Sequence, residues 1–131
     1  MTRAVLLEKR GRLTVVSCIA SSDDLSQEST VKRALNLIRF VPGSHLHGSI
    51  PCTPWTSWQR LNMPKGTPAL RARIAKAREQ SLAWVKTFTR LGKATLAGGG
   101  SVSYEWPRHC DGWKQAGVRE MIRGHPAAFR R

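Results

Sequence analysis

Segments with strand periodicity alternate with segments of helical periodicity along this chain, which limits the folds available to it. Leu13–Ala20 is apolar and rich in β-branched residues, which predicts a buried strand. Ser44–Ile50 alternates apolar with polar residues and predicts a second strand, and Ser101–Glu105 is predicted to form a third. Each predicted strand is followed by apolar residues at helical spacing.

Three helices are predicted, the first after a start signal at Asp24–Gln27, the second from Thr67 to Gly98 and the third over Gln115–Arg123. Pro51–Pro64 is predicted to be a loop. The positions expected to be buried are Val31, Leu35 and Ile38 in the first helix, Leu70, Ile74, Ala77, Trp84 or Val85, Phe88 and Leu91 in the second, and Val118, Met121 and Ile122 in the third.

The resulting order, β-α-β-α-β-α, predicts an α/β fold built on a small, mostly parallel, doubly wound sheet. The length of 131 residues fits one domain. We expect a basic N-terminal segment at residues 1–12, a single α/β domain at residues 13–123 and a basic tail at residues 124–131. Three strands leave open sheet edges, so a protein partner that completes the sheet is also expected.

Lys and Arg number 22 against eight acidic residues, a formal charge of +14, which favours a polyanionic partner such as DNA or RNA. No apolar run is long enough to cross a bilayer, and Ala4–Leu7 is too short for a signal peptide. Three cysteines do not make a secreted disulfide framework. We therefore expect an intracellular protein, nuclear or cytoplasmic, without membrane contact.

The carboxyl ends of parallel strands share one edge of a sheet, where ligands bind. Here those ends would bring together Ser21–Asp24, Pro51–Trp55 and Glu105–Pro107. Cys52 is a candidate nucleophile, or equally a small buried residue. Glu105 is a candidate site carboxylate, with an exposed strand end or an ion pair with Arg108 as the alternative.

Trp55 and Trp58, in the loop beside Cys52, are candidates to stack on a base or an adenine ring. Basic residues are concentrated between positions 60 and 93, where Glu79 is the one acid. A basic helix face of this kind favours phosphate contacts, and the alternative is a solvated helix face without a ligand. The candidate nucleic-acid contacts are Arg60, Lys65, Arg71, Arg73, Lys76, Arg78, Lys86, Arg90 and Lys93.

A zinc site is a further hypothesis. His45 and His47 would lie on one face of a strand, and Cys52, His109 and Cys110 would be the further ligands. The spacing matches no standard finger or ribbon. We therefore predict no metal, while the His45, His47 and Cys52 set stays open.

Two tryptophan-rich motifs carry a family resemblance: HLHGSIPCTPWTSWQRLN (His45–Asn62) and GGGSVSYEWPRHCDGW (Gly98–Trp113). They resemble a methyltransferase-like segment of algal protist retrotransposon polyproteins, which is distantly similar to cytosine-5 DNA methyltransferases. The resemblance covers roughly Thr14 to Arg123. It implies a partial Rossmann-like sheet of the methyltransferase type.

The resemblance also implies roles for individual residues. The Pro-Cys pair of that family supplies a thiolate nucleophile, which matches Cys52, and a glutamate that contacts the target base matches Glu105. Asp24 matches an aspartate that contacts the adenine of S-adenosylmethionine, and Trp55 is the second candidate for that cofactor site.

The chain also departs from the family. Thr53-Pro54-Trp55-Thr56 replaces the Gly-aromatic-Ser sequence, and the glycine-rich turn that holds the cofactor is absent, since Gly98–Gly100 precede a strand. We therefore expect a truncated, catalytically inactive methyltransferase-like domain of retroelement origin that binds nucleic acid through its basic helix and needs no cofactor. The alternatives are a cytosine methyltransferase that uses S-adenosylmethionine and completes its site with a partner, and a basic RNA-associated structural protein of a larger assembly.

Overall fold

Short strands and longer helices make up the part of the chain that a computed structural model describes, namely residues 3–9, 12–18 and 26–124. The strands are β1 (Arg3–Lys9), β2 (Arg12–Cys18), β3 (His45–Gly48) and β4 (Ser101–Tyr104). The helices are α1 (Glu28–Phe40), α2 (Trp58–Lys65), α3 (Pro68–Ala97) and α4 (Ala116–Gly124), with 3₁₀ turns at Thr53–Trp55 and Asp111–Lys114.

Two separate strand pairs are present among the described residues. β1 and β2 pair antiparallel, from Arg3 opposite Cys18 to Lys9 opposite Arg12. β3 and β4 pair parallel, from His45 opposite Ser101 to Gly48 opposite Tyr104. β1 also contacts β3.

The long helix α3 organises the described core. It begins where the sequence predicts, because the Thr67 hydroxyl caps it by accepting a hydrogen bond from the Leu70 backbone N–H, and it ends at Gly98. It packs against α1, α4 and the β3–β4 pair. The apolar face of that pair is completely or almost completely buried at Leu46 and Val102.

Gly48 allows α3 to approach the sheet closely. A Cβ atom at this position would lie 2.3 Å from a ring carbon of Phe88. Phe88 in turn packs against Tyr104, with 5.2 Å between the ring centroids. A glycine is therefore required here for helix and sheet to pack.

The predicted mostly parallel, Rossmann-like sheet in β-α-β-α-β-α order is wrong. The described order is β-β-α-β-α-α-β-α, 68% of residues 26–124 are helical, and the parallel pairing among the described strands is limited to two. β2 pairs with β1, the strand directly before it in the sequence, because consecutive strands can pair antiparallel without the long crossover that a parallel pair needs. The prediction took residues 1–12 as a basic segment and so left this partner strand out.

The predicted loop over Pro51–Pro64 is also wrong, since it contains a 3₁₀ turn and α2. Pro64 lies in the last turn of that helix, where its missing N–H removes a helix hydrogen bond, and the helix ends one residue later at Lys65. The three predicted helices are confirmed in position. Val31, Leu35 and Ile38 are buried in α1, and Val118 and Met121 are fully buried in α4.

Within α3 the predicted face is confirmed at Ile74, Val85, Phe88 and Leu91. Leu70 and Trp84 are half-buried and Ala77 is exposed. In the first three turns of α3, Ile74 is the one buried residue. None of the described helices is both long and apolar enough to span a membrane.

Candidate anion-binding cleft

The segments that follow β3 and β4 leave the same edge of the parallel pair and enclose a cleft with a volume of about 680 Å³. Ser57 and Arg60 come from the segment after β3, and the remaining walls come from the segment after β4 and from α4. Those remaining lining residues are Arg108, His109, Cys110, Trp113, Lys114, Arg119, Ile122 and Arg123.

An ion pair anchors one side of the cleft. Arg60 donates two hydrogen bonds to the Asp111 carboxylate, and its Nε lies 2.9 Å from Oδ2. The Lys114 ammonium lies 3.5 Å from the same carboxylate. The hydrogen bond from Arg60 holds the pKa of Asp111 below its usual value, and the same bond raises the pKa of Arg60. Asp111 thus neutralises part of the positive charge at this side.

Three further arginines line the cleft, and we call them the arginine cluster: Arg108, Arg119 and Arg123. Their side chains are exposed and make no ion pair or hydrogen bond with another described residue. Arg119 and Arg123 are four residues apart on α4 and so lie on one face of that helix. The cluster therefore brings to one cavity three arginines that have no ion-pair partner in the part of the chain that the structure describes.

Trp113 and Ile122 form an apolar wall in this otherwise cationic cleft. The Trp113 indole N–H donates a hydrogen bond of 2.8 Å to the carbonyl oxygen of Pro107. Its ring packs edge-on with Trp106 and Tyr104, at centroid distances of 5.6 and 5.9 Å. Three contacts thus fix the orientation of a half-buried indole.

Cys52 lies on the core side of the β3–β4 pair. It is half-buried and packs against the hydrophobic core that contains Tyr104 and Cys110. Burial raises the pKa of the Cys110 thiol, so that cysteine is poorly suited to act as a nucleophile.

Glu105 lies on the opposite face of the pair, because side chains alternate along β4 and Tyr104 points into the core. Its side chain is 76% exposed, and its carboxylate lies 3.9 Å from Nε2 of His47. The structure therefore does not bring Cys52 and Glu105 together, although the strands that precede them pair as the sequence predicts.

The face that carries Glu105 has a row of imidazole and hydroxyl groups. The Ser103 hydroxyl lies 2.8 Å from Nε2 of His45 and 2.7 Å from Nδ1 of His47. The Ser101 hydroxyl lies 2.7 Å from Nδ1 of His45. Both histidines are thus engaged by serines of the paired strand.

These histidines do not gather with the other zinc candidates. Cys52 and Cys110 belong to the core, and His109 lines the cleft. Among the residues that the structure describes, no three His, Cys, Asp or Glu side chains form a group that could hold a metal ion.

Trp55 is enclosed, with 3% of its surface exposed. Its indole N–H donates a hydrogen bond of 2.8 Å to the Ser81 hydroxyl, and the Arg78 guanidinium lies over the ring, 5.1 Å from its centroid. The ring is therefore not available to stack on the adenine of S-adenosylmethionine. Asp24, the other candidate for this site, lies outside the described residues.

The nine basic candidates divide into two groups. Arg60, Arg78 and Arg90 are held by Asp111, by the Pro54 carbonyl and by Glu28 respectively. The other six are exposed and have no polar partner among the described residues: Lys65, Arg71, Arg73, Lys76, Lys86 and Lys93. Trp58, at the start of α2, is 71% exposed.

Of the residues that line the cleft, Arg60 was predicted from the sequence to contact nucleic acid, and the arginine cluster was not. Asp111 and Glu120 are interspersed among the basic residues of this region, so a charge count along the chain does not single it out. The i, i+4 spacing of Arg119 and Arg123 is the signal that points to a shared face.

Comparison of the chain with protein-family models, curated proteins and solved structures found no match.

Proposed function

We propose that this protein binds nucleic acid through backbone phosphates, with the cleft as the anchoring site. The observation that carries this proposal is the arginine cluster, three guanidinium groups without a described partner that line one cavity. Guanidinium groups match the geometry of phosphate oxygens and bind them in bidentate fashion.

The N-terminal part of α3 supplies a second basic surface. Its first turn contains no acidic residue, although the positive end of the helix dipole favours one there. Arg71, Arg73 and Lys76 follow within the next turns and are exposed. Positive side chains and the helix dipole thus add up at this end, which supports a path for a phosphate backbone beyond the cleft.

The retroelement, methyltransferase-like origin remains a proposal that depends on the two tryptophan-rich motifs. The enzymatic alternative has less support, because Cys52 and Glu105 lie on opposite faces of the β3–β4 pair and Trp55 is enclosed. A polyanion-binding role needs none of these three residues.

The test is the salt dependence of binding to a fluorescently labelled, single-stranded oligonucleotide, followed by anisotropy. Three phosphate contacts on a single strand predict a log–log slope of about −2, or an affinity loss of roughly 20-fold between about 50 and 200 mM salt. Affinity that does not change with salt would contradict the proposal.

Two matched pairs of variants locate the binding site. Arg123→Ala removes a basic residue from the last turn of α4, and Arg39→Ala removes one from the last turn of α1, away from the cleft. Arg119→Ala is paired with Lys32→Ala in the same way. We expect each cleft variant to reduce the salt slope by about 0.7 and each control to leave it unchanged.

A further inference from the structure

We propose that the cleft takes one unpaired nucleotide of a single-stranded nucleic acid, with the base against the apolar wall and the flanking phosphates at the arginine cluster. The inference rests on the nucleic-acid binding proposed above and narrows the ligand to a strand whose bases are free. The juxtaposition that carries it is an oriented indole, Trp113, beside three guanidinium groups in one cavity.

The volume of the cleft suits a small ligand. Pockets that enclose small molecules measure about 300–1,000 Å³, and this cleft measures about 680 Å³. A duplex keeps its bases stacked inside and offers only its backbone to such a cavity. An unpaired nucleotide offers an aromatic base together with phosphates. The base matches the apolar residues of the cleft, and the phosphates match its arginines.

The orientation of the Trp113 ring is fixed before any ligand arrives. Trp113 is held by its hydrogen bond to Pro107 and by edge-on contacts with Trp106 and Tyr104. A ring that is already oriented loses little conformational entropy when a base packs on it. Every base has a π-face, so the stacking requires no particular sequence.

The charges fit the same ligand. Asp111 offsets part of the positive charge of Arg60 and Lys114, whereas the arginine cluster has no ion-pair partner among the described residues. A ligand that matches this lining therefore carries both an anionic group and an apolar face. Free phosphate supplies the anionic group and has no apolar face.

Competition experiments separate the base from the phosphate. Adenosine 5′-monophosphate and ribose 5-phosphate carry the same phosphate group and differ by the base. Each is used to displace a labelled single-stranded oligonucleotide from the full chain at low salt. We expect the nucleotide to compete at least about fivefold better, because one base stacked on an aromatic side chain accounts for that factor or more.

The competition is repeated with Arg119→Ala and with the control Lys32→Ala. The cleft variant is expected to weaken competition by adenosine 5′-monophosphate several-fold, and the control is expected to leave it unchanged. Both exchanges replace an exposed helix residue with alanine, so both variants keep the fold.

Three results would overturn the inference. Equal competition by the two phosphates means that the cleft binds phosphate alone. Oligonucleotide binding that Arg119→Ala leaves intact and Arg71→Ala abolishes places the site on α3, and nucleic-acid binding then stands without the nucleotide pocket. An oligonucleotide that fails to bind at low salt contradicts the proposed function itself, and the inference falls with it.

Discussion

The indole N–H of Trp55 donates a hydrogen bond of 2.8 Å to the hydroxyl of Ser81, and both side chains are buried. This contact ties the 3₁₀ turn after β3 to the middle of α3. Ser81→Ala would leave a buried N–H without a partner, so we expect a loss of about 1–3 kcal/mol in the free energy of unfolding. Denaturant unfolding of the two proteins measures it.

A double-mutant cycle provides the control for that prediction. Trp55→Phe removes the N–H group, so Ser81→Ala in that background should cost clearly less than in the wild-type chain. Equal costs in both backgrounds would show that the hydrogen bond contributes nothing to stability.

The carboxylate of Asp111 predicts an acid-dependent component of stability. Its pKa is lowered in the folded chain by the hydrogen bond from Arg60, so the folded state binds a proton less readily than the unfolded state. The stabilisation is present above the ordinary pKa of 3.8 and is lost as the pH falls through the lower, folded value. We therefore expect the wild-type chain to lose more stability than Asp111→Asn in urea titrations from about pH 5 to pH 2. Parallel curves for the two proteins would contradict this.

The same exchange is expected to strengthen nucleic-acid binding at neutral pH. Asp111→Asn removes one negative charge from the cleft and releases Arg60 and Lys114 from their ion pairs. The affinity for a single-stranded oligonucleotide should rise and the salt slope should steepen by about 0.7 for each new phosphate contact. Glu79→Gln, which removes an exposed carboxylate of α3, is the matched control for charge. An equal gain in both variants would indicate an effect of net charge alone.

A pair of glycine substitutions tests the packing behind the apolar wall. A Cβ atom at Gly112 would lie 2.3 Å from the Trp106 ring, so Gly112→Ala should destabilise the fold by about 1–3 kcal/mol. Gly117→Ala, in the first turns of α4, meets nothing within 4 Å and is expected to stabilise by about 0.5–1 kcal/mol. Thermal unfolding of both variants gives the comparison, and equal changes would contradict this packing.

The two cysteines of the described core should differ in reactivity. Cys110 is 5% exposed and burial raises its pKa, whereas Cys52 is half-buried. In the folded chain iodoacetamide is expected to modify Cys52 faster than Cys110, and denaturant should remove the difference. Peptide mass spectrometry identifies the modified residue. Faster labelling of Cys110 would place its thiol at the surface.

Local signals in the sequence were sufficient to place α1, α3 and α4, whereas α2 was missed. Thr67-Pro68 and Gly98 mark the ends of α3 because capping depends on residues within one turn. The parallel pairing of the strands before Cys52 and Glu105 was also predictable from their order. The antiparallel partner β1 was not, because its apolar stretch is short and its pairing depends on a turn that the pattern does not specify.

The site was less predictable because its properties depend on contacts between distant positions. The residues next to Trp55 in the sequence are typical of an exposed loop. The ring is nevertheless buried, because it contacts Arg78 and Ser81, which are more than 20 residues away in the sequence. The arginine cluster combines a loop residue with two helix residues, and only the fold brings them to one cavity. Residue types therefore predict a polyanion partner, and the fold brings together the cleft that we propose as its binding site.

The parallel β3–β4 ladder has a consequence for the order of folding. Its paired residues His45 and Ser101 are separated by 56 positions, and α2 and α3 lie between them. Closing so long a loop has an entropic cost that local helix formation does not have, so the ladder forms late. The residues that line the cleft come from the segments after β3 and after β4, so both ends of this loop contribute to it. The cleft is therefore among the last features of the fold to form. A ligand that contacts residues from both segments would bind only the fully folded state and so stabilise it relative to partly folded states.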